Sequence, residues 1–248
     1  MSASYQKDRV LCVGVYKAPP NLSKEALQVK AEALVDSLLA VPIAQKNYVK
    51  FEINFQNALL DEHLKALGYP EAQPGVWVTG ECETEAKFEE ILKDPEIAKL
   101  IQEAEHLEHF SVFFADVVAK VDIPTTKNRV RVMSALKPPV HLSSNDFHHQ
   151  AEAILDRFLA LPVAEGKTTR LSLWRQTTNM ATTLQETGFP APDPVLVLVY
   201  EAETQEALVE MMTDSSLKML VSDAIRDISV HLDSSTFAAD VITKIDKS

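Results

Sequence analysis

The sequence predicts an α+β protein that repeats one βαββαβ unit twice in tandem. Three observations predict it. Residues 9 to 44 lie on residues 129 to 164 without a gap, keeping Arg9/Arg129, Lys17/Lys137, Pro19/Pro139, Ser23/Ser143, Ala31/Ala151, Glu32/Glu152, Asp36/Asp156 and Pro42/Pro162. The register runs on through Gly68/Gly188, Pro70/Pro190, Glu81/Glu201, Thr84/Thr204 and Asp94/Asp214, until a short insertion ahead of the final strand shifts Phe114-Ala-Asp-Val117 onto Ala238-Ala-Asp-Val241. Both halves also alternate β-branched runs with helical apolar stripes in the same order. A period this long is a domain, well above the roughly 20 to 50 residues of solenoid repeats, so residues 1–124 and 125–248 are expected to be two domains of one fold.

The first strands are Arg9 to Tyr16 and Arg129 to Leu136, β-branched runs that end in proline turns no helix would tolerate. Ser23 and Ser143 then read as N-caps. Behind them Leu27, Ala31, Leu34, Val35 and Leu38 are mirrored by Phe147, Ala151, Ile154, Leu155 and Phe158 at helical period. Leu34, Leu38, Ile154 and Phe158 are expected to be fully buried, and the helices to stop before Pro42 and Pro162. Val49 to Gln56 and Thr169 to Gln176 alternate apolar and polar residues as second strands do. Short helices at Leu59 to Leu67 and Met180 to Thr187 end at Gly68 and Gly188. Third strands follow at Val76 to Gly80 and Val195 to Tyr200. The last helices start at Thr84 and Thr204 and bend at Asp94-Pro95 and Asp214-Ser215, where an aspartate caps a second segment. Fourth strands are placed at Phe110 to Phe114 and Ile228 to Leu232.

The formal charge of -12 is spread over both halves, each with 12 Lys+Arg, against 20 acidic residues in the first and 16 in the second. This balance repels phosphate backbones and argues against a nucleic-acid partner. No apolar run approaches membrane-spanning length, and the segment Met-Ser-Ala-Ser-Tyr-Gln-Lys-Asp lacks an apolar signal region. The expectation is a cytoplasmic protein without a membrane partner. Cys12 and Cys82 match Val132 and Ala202, so they read as small buried groups and not as a disulfide or metal framework. There is no phosphate loop, no Gly-x-Ser-x-Gly elbow and no ligand cluster with metal spacing, so neither a metal nor another cofactor is expected. Haem could be held only by a lone axial histidine, His231 or His148.

The strand and helix order is that of the ferredoxin-like unit. Each such sheet covers one face with its own helices and leaves the other to a partner. On this repeat and topology the chain resembles the dimeric α+β barrel superfamily, and more narrowly the tandem EthD-like proteins of fungal type. The resemblance implies an intramolecular barrel, a monomeric pseudo-dimer, and a place among cofactor-free monooxygenases, cyclases, decarboxylases, isomerases, haem enzymes and stress-responsive proteins. The cyclase and stress-responsive branch carries His-Pro-x-His at the start of the last helix. Here the residues are Asp94-Pro95-Glu96-Ile97 and Asp214-Ser215-Ser216-Leu217, so a general base would come from another wall.

Matched positions that differ in chemical type mark where one copy has taken on a task. Trp174 stands against Asn54, Arg175 against Phe55, Tyr200 against Gly80 and His148 against Gln28, while His231 stands against Ser111 if the insertion follows the fourth strand. Trp77 replaces Val197 in the other direction. The expected site therefore lies in the second half: His231, Tyr200 and His148 as catalytic groups, with Trp174, Arg175, Gln176 and Trp77 holding an apolar or aromatic small molecule. The chemistry they suggest is cofactor-independent acid/base work, as in a lyase or cyclase. Each residue also has a plainer reading. His148 can pair with Glu152 one turn away, Trp174 can fill a barrel interior, and Glu52, Asn54 and Gln56 can form a hydrogen-bonded network across the barrel. His63, His106 and His109 read as surface residues, and His141 as a loop residue. The competing function is a non-catalytic stress-responsive or small-molecule-binding barrel.

Overall fold

The computed structural model describes residues 4–5, 9–104, 109–123 and 129–247. His106 and the expected boundary at 124/125 lie outside the described residues. In chain order the elements are β1 (Ser4–Tyr5), β2 (Val10–Lys17), α1 (Lys24–Ala40), α2 (Pro42–Asn47), β3 (Tyr48–Asn57), α3 (Asp61–Ala66), β4 (Gly75–Cys82), α4 (Glu85–Leu92), α5 (Pro95–Glu103) and β5 (Phe110–Asp122). They continue with β6 (Val130–Leu136), α6 (Ser144–Leu159), β7 (Thr168–Gln176), α7 (Ala181–Glu186), β8 (Leu196–Ala202), α8 (Gln205–Thr213), α9 (Ser215–Ile228) and β9 (Ser235–Asp246).

Local chemistry sets the helix ends. Ser23 and Ser143 cap α1 and α6 by accepting the amides of Ala26 and Asp146, and the Ser143 hydroxyl also donates to the Asp146 carboxylate at 2.6 Å. Asp94 and Asp214 each accept two amides at the start of α5 and α9, which is where the long helices bend. Gly68 and Gly188 close the short helices at φ of 90° and 100°, a conformation a side chain would strain.

The strands run β5-β2-β4-β3-β9-β6-β8-β7, and β7 pairs back onto β5, so the antiparallel sheet closes on itself; β1 adds to β5. The two seams are β3 on β9 and β5 on β7, each joining the two halves of the chain. Closure leaves three cores. One fills the barrel with Leu11, Val13, Trp77, Phe113, Met133, Trp174, Val197, Val199 and Phe237. The other two lie outside, under α1, α4 and α5 and under α6, α8 and α9. Strand alternation divides the layers, since Val199 and Glu201 point into the barrel while Leu198 and Tyr200 point at the helices.

Two expectations need correction. The run Ile228 to Leu232 is not the fourth strand. Helix α9 continues to Ile228, Ser229 stops it with φ of 53° and its N–H on the Ile225 carbonyl, and the chain turns before β9 begins. Ile228 and Val230 are apolar because they pack into the outer core, which gave the run its strand-like look. The insertion therefore precedes the strand: Ser111 pairs with Val15 as Ser235 pairs with Ala135, so Ser235, and not His231, matches Ser111. The second correction concerns Leu34, Leu38 and Ile154, which are half-buried although Phe158 is buried. They border cavities between sheet and helices.

Candidate functional site

The C-terminal half holds a cavity of about 140 Å³ between β6, β7, β8 and β9 and the helices α6, α8 and α9. Its walls are mostly Leu, Ile, Val and Met, with Phe158 standing edge-on to Tyr200 at 5.7 Å between ring centroids. Among the described residues no charged side chain lines it. Tyr200 donates its hydroxyl to the Met211 sulfur at 3.1 Å, a weak partner. Burial pushes the Tyr200 phenol up to about 12, a hydrogen bond with Thr168 pulling the other way, so it stays protonated at neutral pH and acts as a donor. Ser134 and Thr236 face each other across the β6–β9 pair and both line the cavity. Thr236 is buried and its Oγ1 has no hydrogen-bond partner among the described residues. A buried hydroxyl without a partner costs free energy unless something supplies one.

The barrel interior is occupied by its own side chains. Trp77 and Phe237 pack at 5.8 Å, and Trp174 fills the space beside Leu11 and Val117. At one end Arg131, 4% exposed, donates to Glu52 and Asn54 at 2.7 Å each and to Glu201 at 2.8 Å. Lys50 pairs with Glu52 at 2.8 Å and Arg129 with Glu201 at 2.7 Å, so both buried carboxylates are doubly compensated. Burial would raise Glu52, but Arg131 and Lys50 outweigh it and bring its pKa from 4.5 to about 2. Burial opposes the same shift in Glu201, which Arg131 and Arg129 nevertheless hold low. Glu52 and Asn54 thus form a network across the barrel. Gln56 does something else: it accepts from the Gly75 amide and donates to the Gln73 carbonyl, tying down the loop before β4. Gln176 does the same in the other half by accepting from the Val195 amide at 2.8 Å.

The residues expected to form one site are therefore distributed over several places. Tyr200 faces the cavity under the helices. Trp174 and Trp77 lie inside the barrel, with Trp77 reaching toward its open end. His231 is half-buried in the turn after α9 at that same end, its Nδ1 without a partner among the described residues. His148 lies on α6, with Arg175 of β7 beside it. Arg175 pairs with Glu152, and burial followed by the nearby Arg175 charge lowers the His148 pKa. Among the described residues no histidine lines the cavity that holds Tyr200.

Sequence comparison passed over Ser134, Thr236 and Arg131. Their matches are Gly14, Val112 and Leu11. Arg131 was legible as a charge in an apolar strand. Thr236 falls opposite Val112 in the same register that sets Phe114 on Ala238.

No described protein family matches the sequence, and no curated protein does. Among solved structures the chain is similar to an anthrone oxidase-like protein, with 8% identity, a TM-score of 0.59, and coverage of 100% of this chain and 98% of that one. It is also similar to proposed monooxygenases from Fusobacterium nucleatum, with 10% identity, a TM-score of 0.55 and 97% of both chains covered, and from Lactobacillus acidophilus, with 6% identity, a TM-score of 0.53 and 98% of both. At these identities the likeness is one of fold alone, a closed eight-stranded antiparallel barrel flanked by helices. No helix among the described residues is long and apolar enough to cross a membrane.

Proposed function

We propose that this chain is a small-molecule-binding α+β barrel whose ligand occupies the cavity of the C-terminal half. In this reading the chain is a tandem of two ferredoxin-like units, 1–124 and 125–248, of the EthD-like kind, and the seams β3–β9 and β5–β7 replace the interface of a dimer, so the protein is a monomeric pseudo-dimer. The observation that carries the ligand assignment is the unpartnered Thr236 hydroxyl in an otherwise apolar cavity, with Ser134 opposite it and Tyr200 nearby. A volume of about 140 Å³ suits a single ring, since an apolar cavity of roughly 150 Å³ takes up benzene. The uncharged walls favour a neutral ligand, because a carboxylate would lose its hydration and find no cation there. Its hydroxyl or carbonyl oxygen would meet Thr236 and Ser134.

Cofactor-independent cyclase or lyase chemistry is a second reading, and Tyr200 is the residue that favours it. A phenol held protonated in an apolar cavity can donate to a carbonyl oxygen as negative charge develops there. His231 and His148 stand outside the cavity and supply no base to it, so binding is the stronger reading.

Calorimetry with p-cresol and benzoate on the full chain tests the proposal. p-Cresol is expected to bind with one site of this character and benzoate not at all. Thr236→Val should weaken p-cresol by about 2- to 10-fold, the worth of one neutral hydrogen bond. Equal binding of benzoate, or no effect of Thr236→Val, would refute it.

A further inference from the structure

We infer that the N-terminal half holds a second, separate binding site that takes a neutral aromatic ring and selects it by its aromatic walls. A cavity of about 130 Å³ lies between the sheet and α1, α4 and α5, at the position that matches the C-terminal cavity in the other half. Its volume is nearly the same although its walls are not. Where the C-terminal half has Thr168 and Tyr200, this half has Tyr48 and Gly80. The large ring has moved from the third strand of the unit to the second, and the third strand has given up its side chain to make room. A Cβ at Gly80 would lie 2.6 Å from Cε1 of Tyr48, so the two positions are a compensating pair. Other wall positions have diverged as well, with Cys12, Gly14 and Val112 standing where Val132, Ser134 and Thr236 stand. A void in a packed core is destabilising. Two voids of nearly equal size, kept through exchanges that could have filled either one, are expected of two sites and not of one site with a vestige.

The walls state the ligand class. Among the described residues seven aromatic side chains line this cavity against three in the other. Tyr16 stacks on Phe110 at 4.0 Å, and Phe88 stands edge-on to both Tyr48 and Phe114 at 5.5 and 5.0 Å. Their ring faces and edges offer offset and T-shaped contacts to a flat guest that a saturated ring cannot match. Among the described residues no charged side chain and no serine or threonine hydroxyl lines this wall, so an oxygen on the guest is not required. Leu184 and Phe189, from α7 and the segment after it, complete the wall. Leu64, Leu67 and Tyr69 from the N-terminal half complete the other cavity in return. Each site is therefore finished by the opposite half and exists only in the whole chain.

The test is methyl-resolved NMR on the full chain with toluene and methylcyclohexane, which differ in aromaticity and little in shape. Toluene is expected to shift the methyls of Leu34, Leu38 and Ile97 saturably, to show intermolecular NOEs to them, and to bind there about tenfold more tightly than methylcyclohexane. Ala31→Leu should fill this cavity and abolish those shifts while p-cresol still shifts Ile154 and Leu220. The matched Ala151→Leu should do the reverse, so failure of one site is read separately from failure of the other. If either filled variant does not fold, the NOEs and the two-ligand comparison in the unaltered chain still decide. Absence of saturable shifts at Leu34, Leu38 and Ile97, or equal affinity for the two ligands there, would overturn the inference.

Discussion

Replacing Glu52 by Gln removes one charge from a buried network while keeping the side chain's shape. Glu52 is 7% exposed and lies between Arg131 at 2.7 Å and Lys50 at 2.8 Å. Its folded pKa of about 2 stands below its ordinary 4.5, and that difference corresponds to about 3 kcal/mol of stability carried by the ionised form. The sign follows from the depression. The contribution is present in full above about pH 4.5 and is lost as the pH falls through about 2. Mutation leaves Arg131 with Glu201 as its one carboxylate among the described residues and with the Asn54 amide oxygen, and breaking one member of a buried ion pair costs roughly 3 to 5 kcal/mol in general; the remaining amide contacts put this case at the lower end. Urea unfolding of the parent chain and Glu52→Gln at several pH values is the assay. The variant should be less stable by about 3 kcal/mol at pH 7, and the gap should narrow steadily below pH 4.5. A gap under about 1 kcal/mol at pH 7, or one that does not change with pH, would refute the reasoning.

Two further predictions bear on the packing. Phe158→Ala should destabilise the protein by about 3 kcal/mol, near the low end for a buried aromatic because the ring already borders a cavity; a loss below about 1 kcal/mol in urea would show that α6 presents another face. Residues 1–124 and 125–248 expressed separately should each fail to give a cooperatively folded monomer, since each would expose its share of the barrel core and the two seams, while the whole chain should sediment as a monomer. A soluble, cooperatively unfolding half would contradict this.

The order of strands and helices in the two halves was legible because its signals are local and doubled, whereas the closed barrel was only what the resemblance implied. Ser23 and Ser143, Asp94 and Asp214, and Gly68 and Gly188 act within one turn of the chain, and each appears twice in register. The end of α9 was misread because Ile228 and Val230 are apolar for the sake of the outer core, and an apolar run of a few residues does not distinguish a helix end plus turn from a strand. That error moved His231 onto a strand and into the expected site. Comparing the two halves singled out Tyr200, which borders the cavity, and Trp174, which does not, because it could not tell which face of a strand a residue occupies relative to a barrel. Trp174 and Tyr200 belong to neighbouring strands and opposite sides of the sheet. The cross-barrel role of Glu52 and Asn54 was visible in the alternation of β3, whereas their partner Arg131 comes from the other half and is brought to them only by the closure of β3 on β9 beside β6.

The most direct measurement of the central claim is a crystal structure of the full chain grown with p-cresol. The account predicts the ring between the sheet and α6 and α9, against Leu155 and Leu220, with its oxygen within hydrogen-bond distance of Thr236 Oγ1 and the Ser134 hydroxyl. A ring seated at the open end of the barrel beside His231 and Trp77, with the Thr236 cavity empty, would contradict it.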